Sequence, residues 1–166
     1  GGARVALVQG AGADGTAAIP EAGGFVGNES GLSGTSCGSL PVGSFVYGVA
    51  NESSGDIALA ATSHGLFESK DRCKSWGLVP SGLEVGTVSF VLFHPSRRGE
   101  ALAVQDGKTF HSLDGGLTWE RLGDGGRNGM YPSVLAISPD APDLLLALFP
   151  RRGFLFTEFS TARASR

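Results

Sequence analysis

Ser69-Lys70-Asp71-Arg72-Cys73-Lys74-Ser75-Trp76 and Ser112-Leu113-Asp114-Gly115-Gly116-Leu117-Thr118-Trp119 are one octapeptide in outline, Ser-x-Asp-x-x-x-Ser/Thr-Trp, written twice 43 residues apart. The segments around them repeat as well. Phe93-His94-Pro95-Ser96-Arg97-Arg98-Gly99-Glu100-Ala101-Leu102-Ala103 matches Ile137-Ser138-Pro139-Asp140-Ala141-Pro142-Asp143-Leu144-Leu145-Leu146-Ala147 at an offset of 44. Asp56-Ile57-Ala58-Leu59-Ala60 falls on Gly99 to Ala103 at an offset of 43. A repeat of this length is one supersecondary unit that cannot cover its apolar faces alone. The offsets divide the chain into units at 43–85, 86–128 and 129–166, preceded by a Gly/Ala/Ser-rich segment, 1–42, that lacks the octapeptide.

Each unit reads as short strands between turn residues. Ser44 to Ala50, Asp56 to Thr62, Leu66 to Ser69 and Trp76 to Val79 are the four strands expected of the first unit. Val88 to Phe93, Ala101 to Val104, Thr109 to Ser112 and Trp119 to Leu122 repeat them. Pro95, Pro139 and Pro142 fall in connections, where a missing amide donor harms no ladder. Helical periodicity is weak throughout. Four short strands per unit is the arithmetic of a β-propeller blade, so the expected fold is all-β, with antiparallel four-stranded blades forming a partial propeller. Arg4 to Val8 reads as a strand, whereas Gly10 to Gly15 and Gly27 to Gly38 have loop composition. A degenerate blade and an extended arm both fit residues 1–42.

The octapeptide is explained by turn chemistry. A short carboxylate such as Asp114 can accept hydrogen bonds from amides of its own turn. Gly115 and Gly116 allow positive φ. Ser112 and Thr118 can satisfy the remaining backbone groups, and Trp119 brings a large apolar face to the sheet. The pattern resembles the Asp-box, or bacterial neuraminidase repeat (BNR), of a β-propeller superfamily. The resemblance covers about 43–159. It implies that Ser69, Asp71, Ser75 and Trp76, and Ser112, Asp114, Gly115, Gly116, Thr118 and Trp119, mark the fold rather than catalyse. Arg72-Cys73 departs from the glycine-rich pair, which puts the geometry of the first turn in question. The third unit carries Gly153-Phe154-Leu155-Phe156-Thr157-Glu158-Phe159 but then Ser160-Thr161-Ala162-Arg163, without the Asp or Trp.

The chain has 27 glycines, 17% charged residues, a formal charge of −3 and a pI near 5.6, a balance that offers no general attraction to nucleic acid or an anionic membrane. No apolar run approaches the roughly 20 residues of a membrane span. Cys37 and Cys73 fit no zinc or CxxC spacing; they read as buried thiols, or as one disulfide in an oxidising compartment. His64, His94 and His111 show no ligand spacing, so no metal and no cofactor are expected. Arg97-Arg98 and Arg151-Arg152 read as solvated turn charges. Glycosidase chemistry needs two carboxylates at a set separation, and Asp56, Asp106, Asp124 and Asp143 all look turn-like. Asn28-Glu29-Ser30 and Asn51-Glu52-Ser53 are glycosylation sequons, which favours an extracytoplasmic setting, whether secreted, lumenal or organellar.

Two families look closest. Sorting-receptor (sortilin-like) propellers resemble Val91-Leu92-Phe93-His94-Pro95 followed by Asp106-Gly107-Lys108 and a boxed turn ending in Trp119, and the photosystem II assembly propeller is built on the same boxes. Both imply a non-enzymatic module binding a protein or peptide. The alternative is a fragment of a secreted carbohydrate-active enzyme resembling sialidases or xyloglucanases. Three or four units are few for a closed ring, so completion by another chain or by further sequence is expected.

Overall fold

The computed structural model describes residues 4–8, 23–28, 31–36, 38–53, 55–122, 134–138, 140–141, 144–149 and 153–158. Among these residues every regular element is a strand: β1 (Arg4–Val8), β2 (Gly23–Asn28), β3 (Gly31–Ser36), β4 (Val46–Asn51), β5 (Ala58–Thr62), β6 (Gly65–Ser69), β7 (Gly77–Leu78), β8 (Val88–Phe93), β9 (Ala101–Gln105), β10 (Lys108–Ser112), β11 (Glu120–Arg121), β12 (Val134–Ile137), β13 (Leu144–Phe149) and β14 (Gly153–Glu158). They form four antiparallel meanders: β1-β2-β3, β4-β5-β6-β7, β8-β9-β10-β11 and β12-β13-β14. The eight strands expected between residues 44 and 122 all form, their ends within a few residues of the reading. The loop expected over Gly27 to Gly38 is corrected: Gly27 and Asn28 end β2, and Gly31 to Ser36 form β3, paired with β2. Glycine and serine disfavour strands only weakly, and pairing with a neighbour overrides that preference. The Gly10 to Gly15 loop and the Ser160 to Arg163 departure lie outside the described residues.

The second strand of each full sheet is buried on both faces. Ala58-Leu59-Ala60-Ala61-Thr62 of β5 and Ala101-Leu102-Ala103-Val104-Gln105 of β9 have almost no exposed surface. Alternation explains the partition. Leu59 and Ala61 meet Ala101 and Ala103 in one cluster with Leu66, Val91, Phe110 and Trp119. On their other faces, Ala60 packs with Leu40 and Phe67, while Leu102 and Val104 pack with Leu135, Leu145 and Ala147. The alanines keep both surfaces of the strand low, so neighbouring sheets approach closely. Hairpins join these strands; Asp106 (φ 47°) and Gly107 (φ 76°) supply two successive left-handed residues at the β9–β10 turn, the requirement of a tight two-residue connection.

The first strand of each four-stranded sheet carries a register shift, between Val46 and Gly48 in β4 and between Val88 and Phe90 in β8. The extra residue changes the alternation, so that Val88 and Val91, three apart, face the same cluster, as do Val46 and Val49. The displaced residue in β4 is Tyr47, which is turned outward.

The four sheets converge on their first strands. β1 lies beside β4, β4 beside β8 and β8 beside β12. At the other margin, β7 and β11 are two residues long and exposed. Sheets gathered at one edge and splayed at the other are blades around an axis rather than a stacked sandwich. Each blade is entered by a linker crossing the coming turn: a Cβ on Gly82 would lie 2.0 Å from the Trp119 carbonyl oxygen, and one on Gly38 would lie 2.2 Å from that of Lys74. Because strands alternate in direction, the β4–β5, β8–β9, β6–β7 and β10–β11 connections share one end of the blades. The β5–β6 and β9–β10 hairpins share the other, which the linkers reach around Val42 to Phe45 and Val85 to Thr87 after crossing the turns.

Candidate functional site

At the first of these ends the two octapeptides make matching turns. Ser112 Oγ donates to Asp114 Oδ1 at 2.9 Å and accepts from Gly116 N at 2.9 Å; Ser69 Oγ repeats both bonds with Asp71 Oδ1 and Cys73 N at 2.9 Å each. Asp114 Oδ1 accepts from Thr118 N at 2.9 Å and its Oδ2 from Thr118 Oγ1 at 2.5 Å, and Asp71 takes Ser75 N at 2.9 Å and Ser75 Oγ at 2.6 Å. Each turn is also fastened to the loop opening its own blade: Gly115 N donates to Gly99 O at 2.8 Å, and Arg72 N to Asp56 O at 3.4 Å. The carboxylates hold the turns from within, each engaged by hydroxyls and an amide of its own turn.

Arg72 (φ 60°) and Cys73 (φ 63°) adopt the left-handed backbone that Gly115 (φ 83°) and Gly116 (φ 97°) adopt in the second turn. The departure at 72–73 therefore leaves the turn geometry intact, at the steric cost of two side chains at positive φ. The pair differ in what they meet. A Cβ on Gly116 would lie 3.0 Å from Leu59 Cδ2 of the preceding sheet, and one on Gly115 would lie 3.4 Å from Ile57 Cδ1. Cys73 is buried and disulfide-bonded, and its carbonyl accepts from Gly38 N at 2.7 Å. The only other cysteine in the chain is Cys37, adjoining Gly38 and outside the described residues. Glycine thus lets the second turn lie on the sheet before it, and the first turn has a covalent tie instead.

The tryptophans close the turns unequally. Trp119 is buried and its Nε1 donates to Gly116 O at 2.8 Å. Trp76 is half-buried, and its Nε1, though buried, has no hydrogen-bond partner. Electrostatics follow the bonds. The Ser75 hydroxyl and amide, with the Ser69 hydroxyl, hold Asp71 down at about 2. Burial pushes Asp114 upward, but the Thr118 hydroxyl and amide, then Ser112, outweigh it and leave it below the usual carboxylate range.

The same end carries a polar cluster that the residue pattern did not announce. Glu100 is buried; its Oε1 lies 3.0 Å from His111 Nε2, and Arg97 Nη1 reaches its oxygens at 3.5 and 3.4 Å. His94, also buried, accepts the amides of Ser96 at 3.1 Å and Arg97 at 2.9 Å on Nδ1, which must therefore be unprotonated. Across the blade boundary Arg98 Nε sits 3.3 Å from Oε1 of buried Glu52. Arg98 is the solvated turn charge expected of it and Arg97 partly so, and both also reach buried carboxylates, Glu52 and Glu100 respectively. No spacing signal could have joined Glu100 to His111, because the contact depends on β9–β10 register. These groups fold the β8–β9 loop and pin it to its neighbour, with their polar atoms turned on one another.

At the opposite end lies an apolar strip. Val85 is 98% exposed, Val42 82%, Tyr47 53% and Phe45 52%. Val42-Gly43-Ser44 and Val85-Gly86-Thr87 match in sequence at the 43-residue offset, while the strands they lead into are in register one residue later in the first blade, where Phe45 O accepts from Ser63 N as Thr87 O does from Asp106 N. Hydrogen bonds hold the loops that carry these residues. Phe45 N donates to Ser63 Oγ at 3.0 Å, Thr87 Oγ1 donates to Ser63 O at 3.5 Å, and Asp106 N donates to Thr87 O at 3.2 Å. Buried Gln105 places its whole amide on Glu84, accepting its N–H at 3.0 Å and donating to its carbonyl at 2.5 Å.

Of the sequons, Asn51 ends β4 with its side-chain oxygen buried, and Asn28 ends β2 with its side chain outside the described residues. Among the described residues no group of His, Cys, Asp or Glu is arranged to hold a metal, and no helix is long and apolar enough to cross a membrane. No protein-family model matches the chain, and no curated protein does. Solved structures do. YCF48 bound to D1 peptide superposes at a TM-score of 0.63 and 15% identity, over 83% of this chain and 44% of that one. The GH74 enzyme of Niastella koreensis gives 0.63 and 17%, over 83% and 26%. The dihydro-heme d1 dehydrogenase NirN gives 0.60 and 16%, over 82% and 30%. The chain therefore spans less than half of each of these structures, and at such identities the likeness is one of fold. That fold is the β-propeller, of which this chain forms a run of antiparallel blades.

Proposed function

We propose that the chain is a non-catalytic binding module, built on Asp-box propeller blades, that docks a protein or peptide in an assembly or sorting role. The observation that carries this reading is the contrast between its two ends. At one, Asp71, Asp114, Glu52 and Glu100, with His94, His111, Arg72, Arg97 and Arg98, are engaged in holding turns and loops. At the other, Val42, Phe45, Tyr47 and Val85 stand in solvent on loops fixed by hydrogen bonds, a larger apolar group than the exposed Leu113 and Leu117 of the first end. Exposed apolar groups on a rigid frame mark an interaction surface more often than a reaction centre. The likeness to YCF48, a protein captured with a peptide, is consistent with this role. The disulfide at Cys73 supports an oxidising, extracytoplasmic setting.

The second reading, a piece of a glycoside hydrolase, is favoured by the likeness to GH74 enzymes. Such chemistry needs two carboxylates flanking a substrate cleft, and Glu52 and Glu100 are both buried and occupied by arginines. One fold carries many activities, so the test is biochemical. Selection of a random peptide library on the immobilised chain is expected to enrich a consensus that binds in solution, while a panel of β-glucan and sialoside substrates stays at blank. Turnover well above blank without peptide enrichment would reverse the assignment.

A further inference from the structure

We infer that the strip formed by Val42, Phe45, Tyr47 and Val85 is the docking surface, and that its occupant is an extended peptide carrying apolar side chains interleaved with basic ones. The inference rests on the binding reading above and names the partner class. Val42 and Val85 stand in the linkers that enter successive blades, three residues before Phe45 and two before Thr87, whose carbonyls accept from Ser63 N and Asp106 N, so the strip offers an exposed valine at each blade entry. An extended strand likewise presents side chains at a regular interval along one line. Tyr47 joins the row because the register shift in β4 turns it outward, and Phe45 sits two residues before it, tied to Ser63. The positions are preorganised: the linker before Val85 is held by Gln105, the turn at 106 by Thr87, and the turn at 63 by Phe45 and Thr87. A surface already fixed loses little side-chain and loop entropy on binding.

The charges beside the row choose the partner. Glu84 adjoins Val85 and is exposed, and Asp106 is exposed with its carboxylate against Gly86. Lys108 is half-buried two residues on. Lys70, Arg72, Arg97 and Arg98 belong to the opposite end and are paired there with Glu68, Asp56, Glu100 and Glu52. An approaching chain therefore meets apolar groups flanked by carboxylates, a complement to lysine or arginine between apolar side chains. A sugar would need fixed polar groups, and the amide best placed to supply them, that of Gln105, is committed to Glu84.

The test measures anisotropy of three fluorescein-labelled nine-residue peptides with the full chain: one alternating leucine, lysine and threonine, one with glutamate in place of lysine, and one with serine in place of leucine. The basic apolar peptide is expected to bind about tenfold tighter than either counterpart, and Val42→Ser with Val85→Ser to weaken it about tenfold, as for removal of anchor contacts. Glu84→Gln with Asp106→Asn should erase the preference for lysine over glutamate, because asparagine tolerates the left-handed φ at 106. Lys74→Gln, at the other end, should bind as wild type. These positions are exposed, so circular dichroism should report an unchanged fold. Equal binding of the three peptides, or wild-type affinity in the valine double variant, overturns the inference. If peptides selected from the library bind normally to the valine variant, the binding reading survives and only this surface is wrong. If no peptide binds and a cello-oligosaccharide does, both fall.

Discussion

The turns at 69–76 and 112–119 share four internal hydrogen bonds of the Ser-Asp-Ser/Thr frame, yet they are secured to the rest of the molecule by different means. The second has glycines at positive φ, a contact with Leu59 and an indole N–H bonded to Gly116 O. The first has Arg72 and Cys73 at the same φ, a disulfide, and an indole N–H without a partner. The difference teaches that the side-chain frame sets the turn, while the residue pair inside it sets how the turn grips the preceding sheet. Where glycine is replaced, close packing gives way to a covalent bond.

The largest effect should come where the comparison predicts no difference. Gly82→Ala and Gly38→Ala would each force a Cβ into the backbone of the coming turn, and each is expected to cost about 3 kcal/mol or more in chemical denaturation. A mild effect at one site alone would show that the two linkers are not equivalent. Next, reduction of the disulfide should remove about 2–4 kcal/mol. Cys73→Gly should lose somewhat less, because glycine relieves about 1 kcal/mol of left-handed strain. Equal losses would mean that the φ of Cys73 carries no penalty. The tryptophans come third: Trp119→Phe leaves the buried Gly116 carbonyl without its donor, at about 1–2 kcal/mol beyond the lost packing that Trp76→Phe shares.

The smallest effect is the pH dependence of the first turn. Asp71 has its folded value lowered to about 2 from 3.8, so its contribution is complete above about 4 and is lost as pH falls toward 2. The slope of stability against pH should flatten over that window in Asp71→Asn, measured by denaturation at fixed pH steps. An unchanged slope would place the acid sensitivity elsewhere.

The 43-residue offset made the blades legible because strand, turn and tryptophan positions recur together, and small residues such as Ala58, Ala60, Ala101 and Ala103 fall at the same places in each. Leu40 with Leu83 and Val42 with Val85 belong to the same repeat but escaped notice: they precede the expected boundary at 43, where no octapeptide marks them. The Glu100–His111–Arg97 cluster was hidden for another reason. Its members come from a loop and a strand eleven residues apart, and only the hairpin register brings them together. Gly31 to Ser36 misled because composition speaks of backbone freedom, whereas pairing with β2 decides the conformation.

The blades turn about a shared axis, and a crystal structure of the chain measures this directly. It should superpose β4–β7 on β8–β11 by a rotation about a line running alongside β4 and β8, with Asp71 and Asp114 at the same corner. Sheets related by translation, or stacked face to face with β4 and β8 apart, would contradict it.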